Sequence, residues 1–274
     1  MKTTFSKTLM AGAVAVTCFM ASNMASAAST YPEFTIDQKS NGIVLSANQD
    51  QYVIANKIVG DYSEIISFTG DTFQASIIYH PAQFSLVGTP NPVRSGAGND
   101  YALYALYTAS GTVNRSGTTA SFTFTPSASD SFVFYLDPGA TAATRTTFSV
   151  PLTGATAYGR DQFLDDIILA TGDPITGAGS IDCYATNVCG SFSTTTSFNL
   201  TNKGKLFFIN PKPFYSLTIE TGQLNGFEPS GRVAINGSID TIFTVPEPTS
   251  TALLGLGLFG FAASRRKWAK SKKA

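Results

Sequence analysis

An all-β fold, a single antiparallel β-sandwich-like domain, is what the middle of this sequence predicts, and three observations carry the expectation. Short apolar or alternating runs rich in Thr, Phe, Tyr, Ile and Val recur through residues 28–244, the vocabulary of half-buried strands. One run, Ser121-Phe122-Thr123-Phe124-Thr125, alternates strictly and puts both rings on one face of a sheet. Between the runs stand Ser116-Gly117, Asp137-Pro138-Gly139 and Asn236-Gly237, which supply the positive or fixed φ that tight connections require.

Taken in chain order, residues 1–27 form a three-part secretory signal: Lys2 and Lys7, an apolar stretch from Leu9 to Met20, then small residues at Ala25 and Ala27. The stretch is shorter than the roughly 20 residues that span a bilayer, so cleavage by signal peptidase after Ala27 is expected rather than retention as a helix. Cys18 lacks the leucine-containing approach of a lipidation site, and the Ala-x-Ala site downstream competes with it.

The body, residues 28–244, is long enough for one sizeable core. Its candidate strands are 63–69, 72–79, 120–125, 131–136, 195–200, 205–209, 214–220 and 232–243. Two stretches fit less simply. Phe163, Leu164, Ile167 and Ile168 share one helical face between Gly159 and Gly172, which predicts one short helix over 161–169. Tyr101, Tyr104 and Tyr107 repeat with period three, and the neighbouring strands make residues 101–107 a strand.

Chemistry in the body is sparse. One histidine, His80, excludes a multi-histidine metal site, and its place after Ile77-Ile78-Tyr79 reads as structural. The spacing Gly255-x-Gly257-x-x-Gly260 matches a dinucleotide turn, but it lies in an apolar tail without a βαβ unit, so those glycines are small residues of a membrane helix. Asp161, Asp165, Asp166 and Asp173 cluster without EF-hand spacing; calcium or plain solvation both suit them, and no cofactor or metal is assigned. Cys183 and Cys189, in a chain bound for an oxidising compartment, are expected to form a disulfide closing a small loop. No catalytic constellation assembles, so no enzyme activity is expected.

Residues 245–274 hold the most specific signal. Val245-Pro246-Glu247-Pro248 precedes an apolar segment from Ala252 to Ala263, and Arg265, Arg266, Lys267, Lys270, Lys272 and Lys273 follow. The prolines favour an extended, exposed backbone suited to an enzyme's cleft. The apolar segment is near the lower limit for a transmembrane helix, and the basic cluster holds its end on the cytoplasmic side. This order of parts, in a chain with a signal peptide, resembles the PEP-CTERM sorting domain of Gram-negative bacteria. The resemblance implies transient anchoring in the inner membrane, processing near Pro246–Pro248 by an exosortase, and delivery to the cell surface or extracellular matrix.

Several body segments, 56–68, 104–111, 134–138 and 213–227, are similar to those of the flocculation-associated PEP-CTERM proteins. That resemblance implies a protein that helps cells aggregate with exopolysaccharide, and it brings no active-site residues. A carbohydrate-binding β-sandwich module is the alternative, with Tyr101, Tyr104 and Tyr107 as candidate exposed aromatics. Setting aside Lys2, Lys7 and the six basic residues beyond Ser264 leaves ten basic residues against eighteen acidic ones, Glu247 included, a formal charge of about −8. Such a charge excludes nucleic acid as a partner.

Overall fold

Alternation along each strand, rather than any one contact, gives this domain its architecture. The computed structural model describes residues 31–89, 93–139, 145–161, 165–184 and 187–244. The signal segment with Ala25 and Ala27, and the tail from Val245 through Arg265, Arg266 and Lys267, lie outside the described residues.

The principal strands are β3 (Lys57–Thr69), β4 (Thr72–Ser85), β5 (Ala102–Ser116), β6 (Thr119–Phe124), β11 (Pro174–Ile181), β12 (Val188–Ser197), β15 (Leu217–Asn225) and β16 (Arg232–Thr244). They pair in the order β5, β4, β3, β16, β15, β12, β11, β6, and β6 pairs back onto β5. The result is a closed antiparallel barrel of eight strands, where a two-layered sandwich was expected. Closure comes from the length of β5. Its first half, Ala102 to Thr108, pairs with β7 (Ser131–Asp137), and its second half, Gly111 to Ser116, pairs with β6. Strand β6 then meets β11 and removes the free edge a sandwich would keep.

Outside the ring, β7 continues through β10 (Ile167–Gly172) to β13 (Asn199–Leu200). A small sheet of β1 (Phe34–Asp37), β2 (Tyr52–Ala55) and β14 (Phe208–Asn210) forms beside it, and β8 (Thr147–Ser149) pairs with β9 (Gly159–Asp161). Ile65, Ile78, Tyr104, Leu106, Tyr135 and Tyr158 form a second buried cluster on the outer side of the wall, with Phe148 of β8 packed against it.

The lumen is chiefly apolar, and the outer wall over β12 is polar, while that of β3, β4, β5 and β7 is apolar where the second cluster covers it. Inward positions of β3 and β4 are Ile58, Tyr62, Ile66, Phe73, Ala75 and Tyr79, all in the main core. Outward positions of β12 are Ser191, Ser193 and Thr195. A barrel whose outer wall meets lipid shows the reverse pattern. Among the described residues no helix is long and apolar enough to cross a membrane.

Rings and glycines pair between neighbouring strands on the inner face, Phe73 opposite Gly111 and Tyr62 opposite Gly237. A Cβ on Gly111 would come within 2.6 Å of the Phe73 ring, and one on Gly237 within 2.9 Å of the Tyr62 ring. This explains why Asn236-Gly237 is no turn: it sits in mid-strand opposite Tyr62 and Ser63, where the missing side chain admits the tyrosine ring. Ser116-Gly117 does turn, with Gly117 at φ 61° between β5 and β6.

Other expectations need correction. The helix expected over 161–169 is replaced by β9 ending at Asp161 and β10 beginning at Ile167, with 162–164 outside the described residues. Pairing of β10 with β7 and β13 outweighs a periodicity only two turns long. The strand expected over 205–209 begins as a helical turn, α1 (Gly204–Phe207), whose start is held by the Thr201 hydroxyl accepting from Gly204 N. The expected strand 195–200 is split at Phe198, which is buried among Phe132, Phe134 and Phe208. Residues 101–107 are β-structure as expected, with Tyr101 at an isolated bridge just before β5.

Candidate functional site

Three places in the fold bear on function: the strand that leads into the tail, the lumen, and a corner of carboxylates. Strand β16 lies between β3 and β15, so its backbone is paired along both edges. Its inward alternation ends at Phe243, which is fully buried against Phe34 at 4.9 Å, Phe214 at 4.9 Å and Phe198 at 5.0 Å between ring centroids. Thr244 is still in register, opposite Leu217. Folded structure therefore runs up to the residue before Val245.

The family model of the PEP-CTERM protein-sorting motif matches residues 244–267. The chain carries a PEP-CTERM sorting motif. The match begins on the last residue of β16 and covers Val245, Pro246, Glu247, Pro248, the apolar segment, Arg265, Arg266 and Lys267. The motif marks an exported protein sorted to the cell envelope by an exosortase. No curated protein and no solved structure matches the chain.

In the lumen, the body ahead of the sorting motif holds a cavity of about 60 Å³. Phe73, Phe122, Phe124, Phe132, Phe192 and Phe227 wall it, with Tyr79 and Tyr107, and two carboxyls face it, Glu64 and Glu220. Both carboxyls follow from alternation, since Glu64 shares the inward face of β3 with Tyr62 and Ile66, and Glu220 that of β15 with Thr218 and Leu224. Glu220 accepts hydrogen bonds from the hydroxyls of Thr194 at 2.9 Å and Thr196 at 3.1 Å, and from Thr218. Burial raises its pKa, and these hydroxyls oppose the rise. Glu64 has no hydrogen-bond or ion-pair partner for its carboxyl among the described residues, and burial pushes its pKa up to about 8. Neither glutamate stood out in the sequence as a site residue; the signal available was a charged residue at an inward position of an apolar strand.

The third place joins Asp137, Asp165 and Asp166, whose oxygens lie within 4.8 Å of one another. Of the aspartates considered for calcium, Asp161 and Asp173 are not in this group, and Asp137 joins it from β7. Asp137 accepts from the backbone N–H of Thr146 at 2.9 Å and of Gly139 at 3.2 Å. Asp166 accepts from the hydroxyls of Tyr104 and Thr146 and pairs with Arg160 at 3.4 Å. Arg160 also lies 4.4 Å from the centroid of the Tyr135 ring. Two of the three carboxylates are thus already held by donors, and the arrangement ties the segment carrying β8 and β9 to the outer wall of β5 and β7.

Cys183 and Cys189 are joined, with an S–S distance of 2.06 Å, and close the loop between β11 and β12. The tyrosines considered for carbohydrate are not at the surface: Tyr101, Tyr104 and Tyr107 are all buried. Tyr101 donates to Gln38 at 2.8 Å. His80 is exposed at the outer face of β4, its ring edge-on to Phe148 at 5.3 Å. Loss of water around it lowers its pKa, which Asp61 opposes.

A groove of about 740 Å³ runs over the outer wall of β11, β12, β15 and β16, lined by Ser180, Ser191, Ser193, Thr221, Gln223 and Ser238.

Proposed function

We propose that this exported, exosortase-sorted protein supports cell aggregation by contacting exopolysaccharide at the cell surface or in the matrix. The reading rests chiefly on the sorting motif, whose match begins on the last residue of β16 and so places the barrel directly ahead of the sorting signal. Support also comes from the hydroxyl-rich groove, since serine, threonine and glutamine side chains can exchange hydrogen bonds with sugar hydroxyls. Each such contact is weak, and many copies displayed on one surface make avidity. The reading assigns the protein no enzymatic activity, and purified protein is expected to hydrolyse no glycan.

The test is a deletion strain complemented with either the full chain or a chain ending at Thr244. The full chain is expected to restore aggregation and the shortened one to fail, because unanchored protein diffuses from the producing cell. Full restoration by the shortened form overturns anchored display and leaves a soluble cross-linker. The second reading, a carbohydrate-binding module, is favoured by the same groove but not by the three buried tyrosines. It requires retention of the purified protein on isolated polysaccharide at concentrations where aggregation is absent.

A further inference from the structure

We propose that the barrel lumen is a binding site for a small organic cation, an alkylammonium of a few heavy atoms, with the Glu64 carboxylate as its counter-ion. The Glu64 carboxyl is 7% exposed, opens onto the cavity and has no hydrogen-bond or ion-pair partner among the described residues, so its charged form calls for a donor or a positive charge within the cavity. Both charged residues lining the cavity are acidic, so an anion is excluded. The remaining walls are largely aromatic, and the faces of tyrosine and phenylalanine rings attract cations. A metal ion is the poorer fit, because it seeks six or more oxygens, whereas the three threonine hydroxyls already engage Glu220.

Size follows from the cavity of about 60 Å³, room for a molecule the size of methylammonium or ethylammonium. A route inward is also present. Gly179 and Phe192 line both the lumen cavity and the outer groove, so the half-buried Phe192 ring stands between them. The titratable groups near Glu64 are Tyr62 on its own strand face and Tyr158, and Glu220, Tyr79 and Tyr107 line the same cavity; none is cationic. At neutral pH the Glu64 carboxyl carries a proton. Binding of an ammonium ion ionises it, and that proton leaves to solvent while the cation takes its place.

The test uses the full chain in detergent, with methylammonium and ethylammonium chloride as probes, against sodium chloride at equal ionic strength and ethanol as the neutral analogue. A ligand this small binds with a millimolar constant at best. At about ten times that concentration it is expected to raise Tm by about 3–5 °C. Calorimetry at pH 7 in two buffers of different ionisation enthalpy should show close to one proton released per site. Glu64→Gln is expected to lose both the Tm shift and the proton release. No shift with either ammonium salt, an equal shift with sodium chloride or ethanol, or binding without proton release overturns the proposal. An undiminished shift in Glu64→Gln overturns it equally. The proton count is read on unaltered protein, so it stands whether or not the variant folds.

Discussion

Replacing Glu64 by glutamine is expected to stabilise the protein at neutral and alkaline pH and to flatten its pH dependence. Burial moves the folded-state pKa from 4.5 to about 8, so between those values the folded chain keeps a proton that the unfolded chain gives up. The stability tied to that proton is present in full below the unfolded pKa and is lost as pH rises through the folded one. Each unit of the window is worth about 1.4 kcal/mol, which sets an upper bound of about 5 kcal/mol between pH 4.5 and pH 8. Glu220, also raised by burial, acts in the same direction but is restrained by its three threonine hydroxyls. Glutamine keeps the shape of the side chain and removes the titration. Urea unfolding of both forms at pH 5 and pH 8 measures the difference. The unaltered protein should lose several kcal/mol across that interval and the variant markedly less; equal losses would refute the burial of the Glu64 carboxyl in the lumen.

Phe243→Ala, which empties a site shared by Phe34, Phe198 and Phe214, is expected to cost about 3–5 kcal/mol in urea unfolding. Gly111→Ala drives a methyl group to 2.2 Å from the Thr123 carbonyl oxygen and 2.6 Å from the Phe73 ring and should destabilise by about 1–3 kcal/mol or more; an unchanged midpoint would contradict the close packing there. Removing the disulfide by Cys183→Ser with Cys189→Ser should cost no more than about 2–3 kcal/mol, since the loop is short. Both thiols of the unaltered protein should resist alkylation until reduced. Intact-mass analysis of the surface form should find a chain beginning at Ala28 and ending near Pro246 to Pro248, and recovery of a form still carrying residues 265–274 would leave a plain tail anchor.

Much of this was legible in the sequence, for reasons that differ by region. The sorting motif is a linear signal whose parts act in order along the chain, so Pro246, Glu247, Pro248 and the basic end could be read without a fold. Strands with large apolar side chains, such as β4 and β7, announce themselves by composition. The barrel did not, because closure depends on β5 serving two partners along its length, and no local pattern encodes which strand meets β6. Strand β11 and most of β12 were hidden by Gly, Ser and Thr; Gly177 and Gly179 are small where the Phe124 ring and Phe192 of the neighbouring strands fill the space. The lumen carboxyls were visible only as charges out of phase with their surroundings. Asp137 and Asp166 meet through pairing of β7 with β10, a contact that spacing along the chain does not reveal.

The position of β16 bears on how the protein is made. It is the last strand of the ring in chain order, yet it fills the gap between β3 and β15. Until it has crossed the membrane the exported chain holds an open sheet with two bare edges, the kind of surface that invites pairing with another copy. The sorting motif follows at once, from the last residue of β16, so the strand that closes the ring and the motif are adjacent along the chain. A chain cut ahead of the motif, within β16, would lose the strand that closes the ring, so the integrity of the barrel and the presence of the motif depend on the same end of the body.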